Sequence, residues 1–130
     1  MVTVSKRIYI NEIYKKEKIA KLKKYDGNSD TLEIPTEINY KKKSYVVEII
    51  GNNAIEYREN LTFLSIPETV KRIDKYAISN CENLTTIKMP KNIEVIKQYA
   101  FAYNKNLTSI TIPNSVTTIG EHAFAYCDGF

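Results

Sequence analysis

A repeat of 23 residues is the feature that most constrains the fold of this 130-residue chain. Three consecutive units fill residues 61–83, 84–106 and 107–129 without a gap. Each begins with Leu-Thr, places two apolar residues two positions apart before a proline, and carries an alanine near its end. One such unit cannot bury its apolar side chains alone, so neighbouring units must stack. The repeat therefore predicts a solenoid with a continuous core.

The apolar spacing inside each repeat predicts one short strand that ends at a proline. In the first complete unit, Leu64 and Ile66 are two residues apart, as on one face of a strand. Pro67 follows and lacks the backbone N–H that would continue a ladder. The chain is then expected to turn over residues 70–73 and to form a short helical or 3₁₀ turn at residues 76–78.

A fourth unit lies upstream of these three in an interrupted form. Leu32, Ile34 and Pro35 match the strand half of the repeat, and residues 47–55 match its second half. The segment between the halves is about nine residues longer than in the later units. It has β-branched and aromatic residues on both sides of residues 41–43, which are all lysine. The insert is therefore predicted to form a small hairpin that projects from the first turn of the array.

The shared pattern LTxIxIPxxVxxIxxxAFxxC closely resembles the BspA-like leucine-rich repeats, the 23-residue class of surface proteins. The resemblance covers about residues 31–130. The sequence departs from the pattern at Ile55 and Ile78, where Phe is usual, and at Arg58 and Asn104, which occupy Cys positions. The resemblance implies a β-rich leucine-rich-repeat solenoid, with one short strand per repeat and short helical turns on the other side.

The same resemblance implies a function in protein binding. Members of the family are surface-exposed or secreted proteins of host-associated microbes that adhere to host matrix proteins or to other cells. It therefore implies a non-catalytic protein–protein interaction module of a cell-surface or secreted, adhesin-like protein, with a host matrix or surface protein as partner. Two alternatives stay open, a structural repeat spacer of a larger protein and a basic surface that binds polyanions.

The segment before the first repeat is ambiguous in its periodicity. Residues 15–24 are compatible with a charged amphipathic helix, whereas Ile8 and Ile10 alternate as in a strand. The family resemblance favours an N-terminal β-hairpin cap over residues 1–30, and an open solenoid end needs such a cap. The solenoid is then expected to span residues 31–130, with the interrupted repeat at 31–60. Phe130 occupies the slot of the next leading leucine, so the array is expected to be cut as a new repeat begins.

The composition leaves little material for several kinds of active site. With one His, two Cys, four Gly and no Trp, neither a metal cage nor a glycine-rich phosphate loop is expected, and no enzyme activity or cofactor is predicted. The net charge of +4 is mild and acids dilute the clustered lysines, which argues against nucleic-acid binding. No apolar run approaches the roughly 18 residues of a membrane span, and no signal peptide is expected in this chain.

The cysteines and the single histidine are predicted to have structural positions. Cys81 and Cys127 are two repeats apart, so their backbones should lie about 10 Å apart, too far for a disulfide. They are expected to form a buried ladder of small residues together with Asn104. His122 occupies a slot that holds Tyr in the two preceding repeats, which indicates a surface position without an orienting acid or a nucleophile.

The outward side of the strand ladder is the candidate recognition surface. Strand alternation directs the residues that flank each buried aliphatic side chain away from the core. Phe63 is predicted to be an exposed contact anchor for a protein partner, although β-forming residues on a merely solvated sheet explain the pattern equally well. The open C-terminal edge also predicts end-to-end self-association. The predicted face consists of Phe63, Ser65, Thr86, Lys88, Ser109 and Thr111.

Overall fold

Short β-strands form the regular structure of the chain. The structure, a computed structural model, describes residues 2–5, 7–14 and 18–129, and the side chains of 7–10 and 18–129 among them. Within this part of the chain the strands, in order, are β1 (Val2–Ser5), β2 (Ile8–Tyr14), β3 (Ile19–Tyr25), β4 (Thr31–Glu33), β5 (Glu37–Tyr40), β6 (Lys43–Ile50), β7 (Ile55–Glu56), β8 (Phe63–Ser65), β9 (Arg72–Ile73), β10 (Ile78–Ser79), β11 (Thr86–Lys88), β12 (Val95–Ile96) and β13 (Thr118–Ile119).

Three ladders of strands run along the solenoid, because residues at the same repeat position lie side by side in successive coils. The first ladder joins β4, β8 and β11 in parallel, with Leu32 opposite Leu64 and Leu64 opposite Ile87. The second joins β6, β9, β12 and β13, also in parallel. The third is the parallel pair of β7 and β10. The 23-residue repeat therefore fixes the strand register directly.

The N-terminal strands extend the second ladder. Strands β1, β2 and β3 pair antiparallel in sequence order, and β3 then pairs in parallel with β6. Ala20 lies opposite Val47, and both side chains are buried. The first coil is therefore covered by a strand that is not itself a repeat. The residue limits of cap and repeats, 1–30 and 31–130, stay predictions, and Lys15, Lys16 and Phe130 lie outside the described residues.

Strands β5 and β6 form an antiparallel hairpin at the position of the insert. Its turn contains Lys41 and Lys42, both with left-handed backbone angles, at φ 50° and 64°. All three lysines of residues 41–43 are exposed. On the hairpin, Tyr45 is buried, so one side of it packs against the core.

The expected helical turns on the far side of the repeats are not supported, since the described residues contain no helix. Residues 76 and 77 lie in a turn and Ile78 begins strand β10, while Tyr76 and Asn80, before and after this strand, are left-handed, at φ 55° and 54°. The Ile78 N–H donates to the Ala100 carbonyl of the next coil at 2.8 Å, where a helix would bond four residues back. Residues 72–73, expected to turn, form strand β9. A coil therefore contains up to three short strands where one was expected.

The core is a continuous column of aliphatic side chains from successive coils. In the coil of β8, the inward residues at all six repeat positions are buried, namely Leu61, Leu64, Ile66, Val70, Ile73 and Ala77. Burial of each large side chain contributes roughly 1.5–3 kcal/mol. Threonine hydroxyls also tie the coils together, since Thr62, Thr85 and Thr108 each donate to a carbonyl of the preceding coil. Among the described residues, no helix is long and apolar enough to cross a membrane.

Candidate functional site

The first candidate surface is the outward side of the β4–β8–β11 ladder. Pairing places Thr86 opposite Phe63 and Lys88 opposite Ser65, and an isolated bridge joins Thr86 to Ser109. The structure therefore brings five of the six predicted residues into one ladder. Thr111 lies two residues beyond the bridge, outside any strand.

Two residues of β4 extend this surface and were not predicted. Thr31 lies opposite Phe63, and Glu33 lies opposite Ser65. One row of the face therefore runs from the Glu33 carboxylate through Ser65 to the Lys88 ammonium. The interrupted repeat contains the signal for this extension, because Leu32 matches Leu64 in the repeat pattern.

Phe63 is half-buried rather than exposed. It lines a cavity of about 520 Å³ at the junction of the first ladder with the N-terminal strands. Tyr25 of β3 and Ile8 of β2 line the same cavity, and both are buried. Leu32, which also lines it, is buried, whereas the polar lining residues Ser29, Thr31 and Glu33 are exposed. The aromatic side chain therefore lies beside a recess with a mixed polar and apolar lining, a form suited to one side chain of a partner.

A second group of surface residues forms an aromatic row on another side of the solenoid. Tyr76 and Tyr99 stack with ring centroids 5.0 Å apart, and Tyr99 stacks on His122 at 5.1 Å. All three have left-handed backbones. The surface position predicted for His122 is confirmed, because its side chain is exposed and continues the row.

A third row, which was not predicted, consists of Tyr57, Asn80, Tyr103 and Tyr126, again one residue per coil. Tyr103 and Tyr126 stack at 4.8 Å with ring planes 9° apart. The three tyrosines are 66%, 40% and 63% exposed. The row lines a groove of about 470 Å³ together with Glu82, Lys105 and Asp128. Its sequence signal is the recurrence of Tyr at a 23-residue interval with one interruption.

These ladders and rows have the form of a repeat-protein surface, and comparisons with known proteins identify the repeat. A family model described as a BspA type leucine rich repeat region (6 copies) matches residues 35–130. This chain belongs to the BspA-type leucine-rich repeat family. No curated protein is a significant match to the sequence.

Solved structures of similar proteins have the same fold as this BspA-type chain. A leucine-rich repeat protein from Bacteroides capillosus is 27% identical with a TM-score of 0.81, over 92% of this chain and 97% of that one. A leucine rich cell surface protein from Faecalibacterium prausnitzii is 31% identical with a TM-score of 0.82. A leucine-rich repeat protein from Bacteroides ovatus is 27% identical with a TM-score of 0.80. Each of the last two matches includes 98% of this chain. The chain spans only 34% of the Faecalibacterium prausnitzii protein and 39% of the Bacteroides ovatus protein.

The cysteine slot of the BspA-type repeat is a buried column without a disulfide. Cys81 and Cys127 are free thiols, and burial raises the pKa of Cys81 to about 11. Burial also raises the pKa of Cys127. A thiol kept protonated in this way is a weak nucleophile. Between them in the column, Asn104 is fully buried.

The described residues hold no group of three or more His, Cys, Asp or Glu side chains that could bind a metal ion. The His122 ring stacks on the Tyr99 ring. The buried thiols of Cys81 and Cys127 face backbone carbonyls. The two outward surfaces, the β4–β8–β11 face and the Tyr57–Asn80–Tyr103–Tyr126 row, are therefore the candidate sites of this BspA-type chain.

Proposed function

We propose that this chain is a non-catalytic protein-interaction module that binds a partner through the outward face of β4, β8 and β11. The observation that carries the proposal is the position of Phe63, half-buried at the rim of the 520 Å³ cavity. An aromatic residue beside a recess is the usual form of a binding hot spot. The exposed hydroxyls and charges along the same ladder, such as Thr86 and Lys88, supply a polar rim around it.

We also propose that the module acts at the cell surface or outside the cell, as part of an adhesin-like protein. Membership of the BspA-type family supports this. So does the similarity to the Faecalibacterium prausnitzii protein, which is described as a cell surface protein. This chain spans 34% of that protein, so adhesion to a host matrix or surface protein is proposed for the module in the context of a longer protein.

The proposal is tested by binding to a panel of purified matrix glycoproteins, with heparin as a polyanion, at low and moderate salt. The variant F63A/K88A removes the aromatic anchor and the charge at one end of the face. The control K91A/T118A removes two exposed residues outside this face. Matched backbone NMR spectra establish that both variants fold.

Saturable, salt-tolerant binding to one protein, lost in F63A/K88A and kept in the control, is the expected result. Equal binding by both variants contradicts a role for this face. Binding to heparin alone, with a steep decline as salt increases, favours the polyanion-binding alternative because counterion release drives it. Absence of binding across the panel favours a structural spacer.

A further inference from the structure

The Tyr57–Asn80–Tyr103–Tyr126 row advances by one residue in each coil. Its two adjacent tyrosines, Tyr103 and Tyr126, stack at 4.8 Å, and Tyr76 and Tyr99 of the neighbouring row stack at 5.0 Å. Both values match the spacing of adjacent strands, which is about 4.8 Å. A tyrosine in each coil therefore produces a continuous stack.

Asn80 interrupts this stack. Its coil is in register with those on either side, since the Tyr57 N–H donates to the Ser79 carbonyl at 3.3 Å and the Asn80 N–H donates to the Ala102 carbonyl at 3.2 Å. Tyr57 and Tyr103 are therefore two coils apart, about 10 Å at the ladder spacing. Within the described part of the chain, Tyr57 stacks on no other ring. The short Asn80 side chain leaves a gap between the two tyrosines that is one planar group thick.

The charges around the gap favour a cation. The groove contains two carboxylates, Glu82 and Asp128, and one ammonium, Lys105. Lys105 pairs with Glu82 at 2.8 Å, so the groove has a net negative charge on a chain whose net charge is +4. The Asn80 side-chain amide forms no hydrogen bond within the described residues, so its oxygen is available as an acceptor.

We propose that the gap between Tyr57 and Tyr103 binds the guanidinium group of an arginine side chain from a partner protein. A guanidinium is planar and can stack on a tyrosine ring with each of its faces. Its N–H groups can donate to the Asn80 amide oxygen and to the Glu82 carboxylate. A lysine ammonium fits less well because it is not planar, and an aromatic ring does not use the carboxylates. The site lies apart from the β4–β8–β11 face and does not depend on the function proposed for that face.

The direct test is an NMR titration of tyrosine ring signals with N-acetylarginine methylamide. N-acetyllysine methylamide and N-acetyltyrosine methylamide are the comparison probes. The variants Y57F and Y103F assign the two ring signals. The arginine probe is expected to shift the Tyr57 and Tyr103 signals with a Kd of about 1–10 mM, since a single cation–π site supplies little free energy. The lysine probe is expected to bind at least about fivefold more weakly.

The variant N80Y tests the gap itself. Tyrosine fits the left-handed backbone of this slot, because Tyr57, Tyr103 and Tyr126 have φ values of 57°, 65° and 58°. The substitution should fill the gap with a ring, preserve the fold and abolish binding of the arginine probe. The variant N80A leaves the gap open but removes the amide oxygen, so it should bind the arginine probe more weakly than the wild type does, yet still measurably, unlike N80Y. An unchanged backbone spectrum apart from nearby residues establishes that each variant folds.

The variant K105A tests the charge argument in the opposite direction. It releases the Glu82 carboxylate from its ion pair, so the arginine probe should bind about twofold more tightly. The variant E82Q should weaken binding by a similar factor. Equal binding of arginine and lysine probes, stronger binding of the tyrosine probe, or arginine binding that survives in folded N80Y would each overturn the proposal.

Discussion

The Asn104 side-chain oxygen accepts a hydrogen bond from the backbone N–H of Cys81 at 2.9 Å, across one coil of the solenoid. The Asn104 amide also donates to the carbonyls of Ile78 and Phe101, at 2.8 and 2.9 Å. The thiols in the same slot follow this pattern, since Cys127 donates to the Phe101 carbonyl at 3.1 Å. Each residue of this column therefore forms a hydrogen bond to the preceding coil. The Asn104 side chain satisfies three backbone groups, and a thiol at the same repeat position satisfies fewer.

The variants N104L and N104C separate the volume of this side chain from its hydrogen bonds. N104L leaves one N–H and two carbonyls without their partner inside the core, so the free energy of unfolding should fall by about 3 kcal/mol or more. N104C keeps one donor, as in the neighbouring coils, and should lose about 1–2 kcal/mol. Urea unfolding measures both values. Equal losses in the two variants would show that hydrogen bonding in this slot contributes little.

The Cys81 thiol should make stability depend on alkaline pH. Burial raises its pKa from 9.0 to about 11, so between these values the unfolded chain releases a proton that the folded chain retains. The stability that the protonated Cys81 thiol contributes is therefore complete below pH 9. As the pH rises from 9 to 11, the free energy of unfolding should fall by about 2 kcal/mol. The variant C81A should lack this component.

The measurement is the difference in unfolding free energy between wild type and C81A at several pH values. All other titratable groups are common to both proteins and cancel in the difference. The advantage of the wild type over C81A should shrink between pH 9 and pH 11. A difference that stays constant over this range would contradict the pKa of Cys81.

The repeat pattern in the sequence was sufficient to predict the register of the solenoid. Leu64 and Ile87 share a repeat position and lie opposite each other in β8 and β11, because an interval of one coil makes equivalent residues neighbours. The family is confirmed as well. The strands at residues 72–73 and 78–79 were missed, since they are only two residues long and two apolar residues have no measurable period.

The candidate surfaces were predicted less completely, for physical reasons. The outward direction of Phe63 follows from strand alternation, but the cavity that it lines is completed by Tyr25, which precedes it by 38 residues and lies on the N-terminal strand β3. The tyrosine row depends on left-handed backbones at Tyr57, Tyr103 and Tyr126. Such angles are uncommon for aromatic residues, so tyrosine is not a recognised signal of a turn.

Asp74 should be a more important charge than any exposed acid of the chain. Its carboxylate is buried and lies 2.7 Å from Arg72 Nε, 3.8 Å from Lys97 Nζ and 4.0 Å from Lys21 Nζ. The variant D74N preserves its size but removes the charge that these cations face. Because Arg72 and Lys97 are partly exposed and can rehydrate, the loss should be about 2 kcal/mol, below the 3–5 kcal/mol of fully buried pairs.

The exposed pair of Glu82 and Lys105 is the matched control for Asp74. Both of its side chains are more than half exposed, so E82Q should leave the Tm unchanged within error. Thermal unfolding at low and high salt compares the two variants. A Tm for D74N equal to that of the wild type would show that the carboxylate gains no more from its cations than it loses by dehydration.

Ile96 and Ile119 test whether stacking of coils supplies the core energy. They occupy the same repeat position and lie opposite each other in β12 and β13, yet Ile96 is fully buried and Ile119 is 50% exposed. I96A should therefore reduce the free energy of unfolding by about 3 kcal/mol, from lost transfer energy and the cavity left behind. I119A should reduce it by about 1 kcal/mol or less, because its side chain is only partly removed from water. Both substitutions are made in the same local sequence pattern, so urea unfolding of the two variants isolates the effect of a neighbouring coil. Equal losses of unfolding free energy would contradict the idea that stacking of coils supplies the core energy.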